Sequence, residues 1–123
     1  MKVLLGIGGT DDSLTALQRT VDRAVVAGDD LTIAVIDNPS AERSRDDVER
    51  HAREVVAEAG LDAEIRQLDG DPGSALIQLA EAEAFEKIVL GGGDRSPMGK
   101  IKVGDIAEFV LLNAHVTVSL VRQ

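Results

Sequence analysis

At 123 residues the chain has the length of one domain, residues 1–123, and can bury a core without disulfide or metal support. It contains no cysteine, which excludes disulfide frameworks, thiolate metal sites and cysteine nucleophiles together. A formal net charge of -9, from 22 acidic and 13 basic residues, argues against nucleic acid and anionic membrane surfaces as partners.

No stretch approaches the roughly 18 apolar residues of a membrane span. The N-terminus runs straight into an apolar segment, with no charged leader and cleavage site, so a cytoplasmic location is expected. Lysine occurs only at Lys2, Lys87, Lys100 and Lys102, and aromatic residues make up 2%. That acid-rich, lysine-poor balance suits a halophile, because salt near 1 M shortens the Debye length to about 3 Å and screens self-repulsion.

Lys2 to Gly8 is a short apolar run ending in glycines, hence a buried strand. Thr10-Asp11-Asp12-Ser13 supplies helix-capping side chains, and Leu14, Leu17, Val21, Ala24 and Val25 recur at helical spacing up to Gly28. Leu31 to Asp37 reads as a second strand, broken by Asn38-Pro39-Ser40. A charged helix follows from about Ser44, with Val48, Ala52, Val55, Val56 and Ala59 on its inner face and Gly60 as terminator. Asp62 to Leu68 alternates weakly and reads as an edge strand. Asp71-Pro72 places a cap and a proline at the next helix start. Ala75, Leu76, Leu79 and Ala80 face inward from that helix. Glu86 to Gly91 is a fourth strand, Asp105 to Ala114 a fourth helix, and Val116 to Arg122 a last strand.

Strands alternating with helices imply an α/β fold with an open, doubly wound parallel sheet covered on both faces. With strand 1 central, the order of its five strands is 3-2-1-4-5. Ligands of such sheets bind beyond the carboxyl ends, at the switch in strand order. Here that switch lies between strands 1 and 4, at the Gly8 loop and the Gly91–Gly104 loop.

The glycines of Gly6-Ile7-Gly8-Gly9-Thr10-Asp11 do not complete a dinucleotide fingerprint, since Asp11 stands where its third glycine belongs. Asp11, Asp12 and Asp69 suggest a phosphoacceptor site, but the lysine needed past the last strand is absent from Arg122-Gln123. The two aspartates suit a helix N-terminus instead. Neither His51 nor His115 has a partner at metal-ligand spacing, and no G-x-S-x-G elbow surrounds a serine. No catalytic constellation is visible.

The segment from Val89 to Asp105 is the most informative. An apolar strand, a loop with Gly91, Gly92, Gly93 and Ser96, then Gly104 at a helix start would aim backbone N–H groups at one point, where phosphates are commonly held. Asp105-Ile106-Ala107-Glu108 has the form of a capping box. On that reading Asp105 accepts from the first-turn N–H groups, occupies donors a phosphate would use and sets negative charge beside any that arrives.

This chain resembles the universal stress proteins, whose pattern is strand, G-x-x-G, nine residues, then G-S or G-T. The Ala34-Val35-Ile36-Asp37 end of strand 2, the Ser96-Pro97 loop and Ala114-His115-Val116-Thr117-Val118 are similar as well. The resemblance implies a phosphate loop for ATP with magnesium. Gly91 and Gly104 match its first and last glycines, and Ser96 lies within it. Val35 matches the residue lining the adenine pocket, and Leu90 and Ile106 flank the motif. Asp94 stands in place of the second glycine, Asp105 in place of the serine or threonine, and Gly8 in place of an aspartate that faces base and ribose. A degenerate site that holds ATP poorly, and no cofactor, is therefore expected, with ATP binding as the alternative. Arg95, Lys100 and Lys102 are read as salt-bridging to Asp94, Asp105 or Glu108. The resemblance also implies a homodimer paired through the last strand, with Val116, Val118 and Leu120 at the interface and an unidentified protein partner open. The chain then acts as a regulatory or protective stress-response module, not an enzyme.

Overall fold

A computed structural model describes residues 1–38, 41, 43–91, 94–95, 101–102 and 104–121. Its centre is β1 (Lys2–Ile7), whose side chains alternate between two apolar layers. Val3, Leu5 and Ile7 enter one layer and Leu4 the other, each almost fully buried. β1 pairs in parallel with β2 (Asp30–Val35) on one side and β4 (Lys87–Gly91) on the other. β3 (Glu64–Gln67) joins β2, and β7 (Thr117–Val121) joins β4, giving the order β3-β2-β1-β4-β7. This is the expected five-strand order, with β7 as its fifth strand.

Between β4 and the last helix lies a feature that periodicity could not reveal, the two-residue strands β5 (Asp94–Arg95) and β6 (Ile101–Lys102), paired antiparallel. Two residues per strand are too few to show alternation.

Each helix starts where its sequence offers a cap, with one exception described below. α1 (Asp11–Ala27) is capped by Thr10, α2 (Arg45–Ala59) by Ser44 and α3 (Pro72–Ala82) by Asp71 with Pro72 at its first position. Gly28 and Gly60 end α1 and α2 in the left-handed conformation, as expected. α4 (Asp105–Asn113) completes the set. Leu17 and Val21 of α1 and Val48 and Ala52 of α2 pack on one sheet face. Leu76 and Ala80 of α3 and Ala107 and Val110 of α4 pack on the other.

Candidate functional site

A cavity of about 580 Å³ opens beyond the carboxyl ends of β1 and β4. Gly6, Gly8 and Gly91 leave its floor without side chains, and Ile36, Leu90 and Ile106 give it apolar walls. The first turns of α1, α3 and α4 all reach it, through Asp11 to Ser13, Asp71-Pro72 and Gly104 to Ala107. It therefore sits where a doubly wound sheet places its ligands.

The β1–α1 turn closes on itself. Gly9 has φ +83°, which a residue with a Cβ rarely adopts. Ser13 Oγ accepts from Gly8 N–H at 3.1 Å, and Ser13 N–H donates to Asp12 Oδ1 at 3.1 Å and Thr10 Oγ1 at 3.4 Å. The Thr10 hydroxyl in turn donates to Asp12. At α3, Asp71 Oδ2 accepts from Ser74 N–H at 3.0 Å.

The start of α4 differs from the expected capping box. Gly104 occupies the cap position, Asp105 is the first residue inside the helix, and no side chain makes a capping hydrogen bond. The D-x-x-E pattern lies one residue too far along. A carboxylate at the first helical position still favours the dipole but does not fold back onto the first-turn N–H groups.

Gly8, Leu90, Gly91, Gly104, Asp105 and Ile106 thus line one cavity. Val35 does not. It is fully buried in the layer under α1 and α2, and Ile36, one residue on, projects to the cavity side. Successive strand residues face opposite ways, so an offset of one changes the layer. The backbone of Asp94 forms β5, opposite Lys102. Ser96 and Lys100 lie outside the described residues, so the expected pairing of the loop's basic side chains with Asp94, Asp105 or Glu108 does too.

Thr10, Asp12, Ser13, Asn38 and Asp71 also line the cavity, though by sequence alone they read as caps or turn residues. Their place at carboxyl-end loops was the signal available. Four carboxylates, those of Asp11, Asp12, Asp71 and Asp105, surround the space, and no lysine or arginine is among its described lining residues.

A neighbouring hollow of about 330 Å³ shares Gly8, Ile36 and Asn38 with the cavity and carries Arg43 and Arg45. Both arginines are engaged by the protein itself. Arg43 donates to Gly9 O at 2.7 Å and to Asp11 Oδ1 at 3.3 Å. Arg45 donates to Leu68 O at 2.9 Å and Asp69 Oδ1 at 2.8 Å, and the Asp69 hydrogen bond and charge hold its guanidinium above the ordinary arginine range. Among the described residues, no group of three or more His, Cys, Asp and Glu side chains is placed to hold a metal. No described helix is long and apolar enough to cross a membrane.

At the far edge of the sheet, Val116, Val118 and Leu120 are partly buried against the layer that holds Leu4, Leu76 and Val110. Their side chains point into the α3–α4 side, so what β7 presents outward is its backbone edge. Beside it, α4 exposes Phe109 (41%), Leu111 (43%) and Leu112 (76%). Val110 faces the sheet and Phe109 lies near Gly73 of α3, so Leu111, about 100° further round, lies toward the β7 side.

Solved structures share this architecture. A universal stress protein of Archaeoglobus fulgidus matches 98% of both chains with a TM-score of 0.77 at 21% identity. A universal stress protein solved in complex with cAMP matches 99% of this chain and 96% of its own, with a TM-score of 0.78 at 28% identity. An Arabidopsis thaliana member with AMP bound covers 100% of this chain and 92% of its own, with a TM-score of 0.71 at 16% identity. A universal stress protein of Methanocaldococcus jannaschii is 27% identical over 74 residues, a stretch spanning 60% of this chain and 44% of that relative. The sequence profile of the universal stress protein family matches residues 1–122, and the chain belongs to that family.

Proposed function

We propose that this chain is a dimerising, non-catalytic stress-response module of the cytoplasm, whose cavity disfavours ATP. The observation that carries the reading is the ring of Asp11, Asp12, Asp71 and Asp105 around the cavity, with no cation among its described lining residues. A triphosphate entering there meets like charge on several sides, on a chain that already bears -9. These carboxylates border solvent, so salt weakens the repulsion without reversing its sign. The disfavour is thus electrostatic and does not depend on a side chain occupying the α4 N–H groups. Millimolar Mg-ATP should leave the melting temperature nearly unchanged. A binder at a hundredfold excess over its dissociation constant gains about 2.7 kcal/mol, so a clear upward shift would overturn the proposal.

One observation favours a second reading, in which the cavity holds an adenine nucleotide. The first turn of α4 lacks a side-chain cap and opens onto the cavity, which leaves donors for an anion. Solved members of the family include complexes with cAMP, dAMP and AMP. The two readings separate on Asp94→Gly with Asp105→Ser. If nucleotide binding appears only after those substitutions, the carboxylates are the barrier. If the parent already binds nucleotide and the substitutions hardly change its affinity, the second reading holds.

Dimerisation is proposed through the β7 edge, supported by its outward backbone and by exposed Leu111 on its side of α4. Sedimentation that shows a monomer at micromolar concentration in high salt would remove this part.

A further inference from the structure

The uncovered strip of sheet between α1 and the β4–β7 edge forms a groove of about 140 Å³, remote from the nucleotide-type cavity in its lining residues. Arg19 and Arg23, one turn apart on α1, stand over it, and Lys87 enters from β4. Ser119 of β7 contributes a hydroxyl to its lining.

The charge arrangement here runs against the rest of the molecule. Elsewhere the described arginines sit beside carboxylates, as in Arg43–Asp11, Arg45–Asp69, Arg50–Asp47, Arg53–Glu49 and Arg66–Glu83. Arg19 and Lys87 make no ion pair or hydrogen bond among the described residues, and both line this groove. In a chain with 22 acidic and 13 basic residues, two such cations lining one groove are not expected from composition. Arg23 contacts Asp29 Oδ2 through Nε at 3.4 Å, and the Asp29 side chain is only 6% exposed. Three cations less one carboxylate leave two positive charges in the lining.

We propose that this groove binds a phosphate-type dianion. Two net positive charges match two negative ones. Arginine forks and a lysine ammonium supply the charge-assisted donors that a tetrahedral oxyanion accepts. The volume admits one such group. Free inorganic phosphate and the terminal group of a small phosphomonoester share this chemistry.

The test is an amide NMR titration of the ¹⁵N-labelled full chain with inorganic phosphate, at the lowest salt in which it stays folded. Saturable shifts are expected at Thr20, Lys87 and Ser119. Arg19→Gln combined with Lys87→Gln should weaken binding by about tenfold or more, whereas Arg19→Lys should retain most of it. Arg19 is exposed and Lys87 half-buried, and an unperturbed spectrum elsewhere reports that the fold is kept. A parallel titration with glycerol phosphate identifies the source, since tighter binding than inorganic phosphate indicates an esterified group and weaker binding the free ion. The proposal is overturned if phosphate shifts no groove resonance, if it shifts only those around Gly104 and Ile106, or if the double variant binds as the parent does.

Discussion

α1 and α4 both begin at the same cavity, on strands that lie next to each other, yet their first turns are treated oppositely. At α1 the chain uses its own Thr10, Asp12 and Ser13 to satisfy the turn, including the Gly8 N–H. At α4 a glycine holds the cap position and no side chain folds back. The cavity is thus half closed by the chain's own hydrogen bonds, on the β1 side, and half open, on the β4 side. The difference teaches that occupation of a helix start and negative charge beside it are separate properties. Asp12 supplies both, and Asp105 supplies only the charge.

The seating of α1 depends on Gly91. A Cβ there would lie 2.6 Å from Asp12 C and O and 2.7 Å from Ser13 N, all backbone atoms of the first turn of α1. Gly91→Ala therefore forces the capped turn off the end of β4, and overpacking of this kind costs about 3 kcal/mol. Urea unfolding measures it. A loss below about 1 kcal/mol would mean that the α1 start is not held in place by β4, and the contrast with α4 would lose its rigid half.

Removing the caps one at a time compares the two helix starts directly. Thr10→Ala should destabilise by about 1 kcal/mol, the usual worth of an N-cap side chain. Asp105→Ala should cost only a few tenths of a kcal/mol, the low end of a charge at a helix dipole, and less as salt is added. Equal losses at the two positions would restore Asp105 as a cap in solution. A larger loss for Asp105→Ala would invert the comparison.

The architecture was legible because its signals are local and repeated. Ser44, Asp71-Pro72, Gly28 and Gly60 each mark an end where the backbone needs a side-chain acceptor, a fixed φ or a positive φ, and each stands where expected. Alternation of strand and helix then led to a parallel sheet, and placing strand 1 at its centre, as in the universal stress proteins, to its order. The site was legible only in part, because it depends on single-residue offsets. At α4 a D-x-x-E pattern overlaps a glycine that is itself an acceptable cap, and spacing alone does not choose between them. At β2 the choice between Val35 and Ile36 is a choice of face, which pleating reverses at every residue. The contributions of Asn38, Thr10 and Asp71 arise from three loops brought together by the sheet, and no window of sequence contains all three.

Away from the cavity, an ion-pair network on the β3–α3 side offers a test of how folding responds to acid. Arg66 donates to both Glu64 and Glu83, and these hydrogen bonds, with the guanidinium charge, hold both carboxyls below the ordinary glutamate range. The same bonds hold the Arg66 guanidinium above its ordinary range. A carboxyl lowered in the folded state contributes stability that is fully present above its unfolded value, near about 4.3 for glutamate, and is lost as pH falls through the folded value. Both carboxylates border solvent, so the contribution at neutral pH is small. Glu83→Gln should therefore change the urea midpoint little at neutral pH and flatten its decline on acidification. A decline as steep as the parent's would mean that the contacts of Arg66 with Glu64 and Glu83 do not couple folding to protonation, and that this exposed network is geometry without energetic weight.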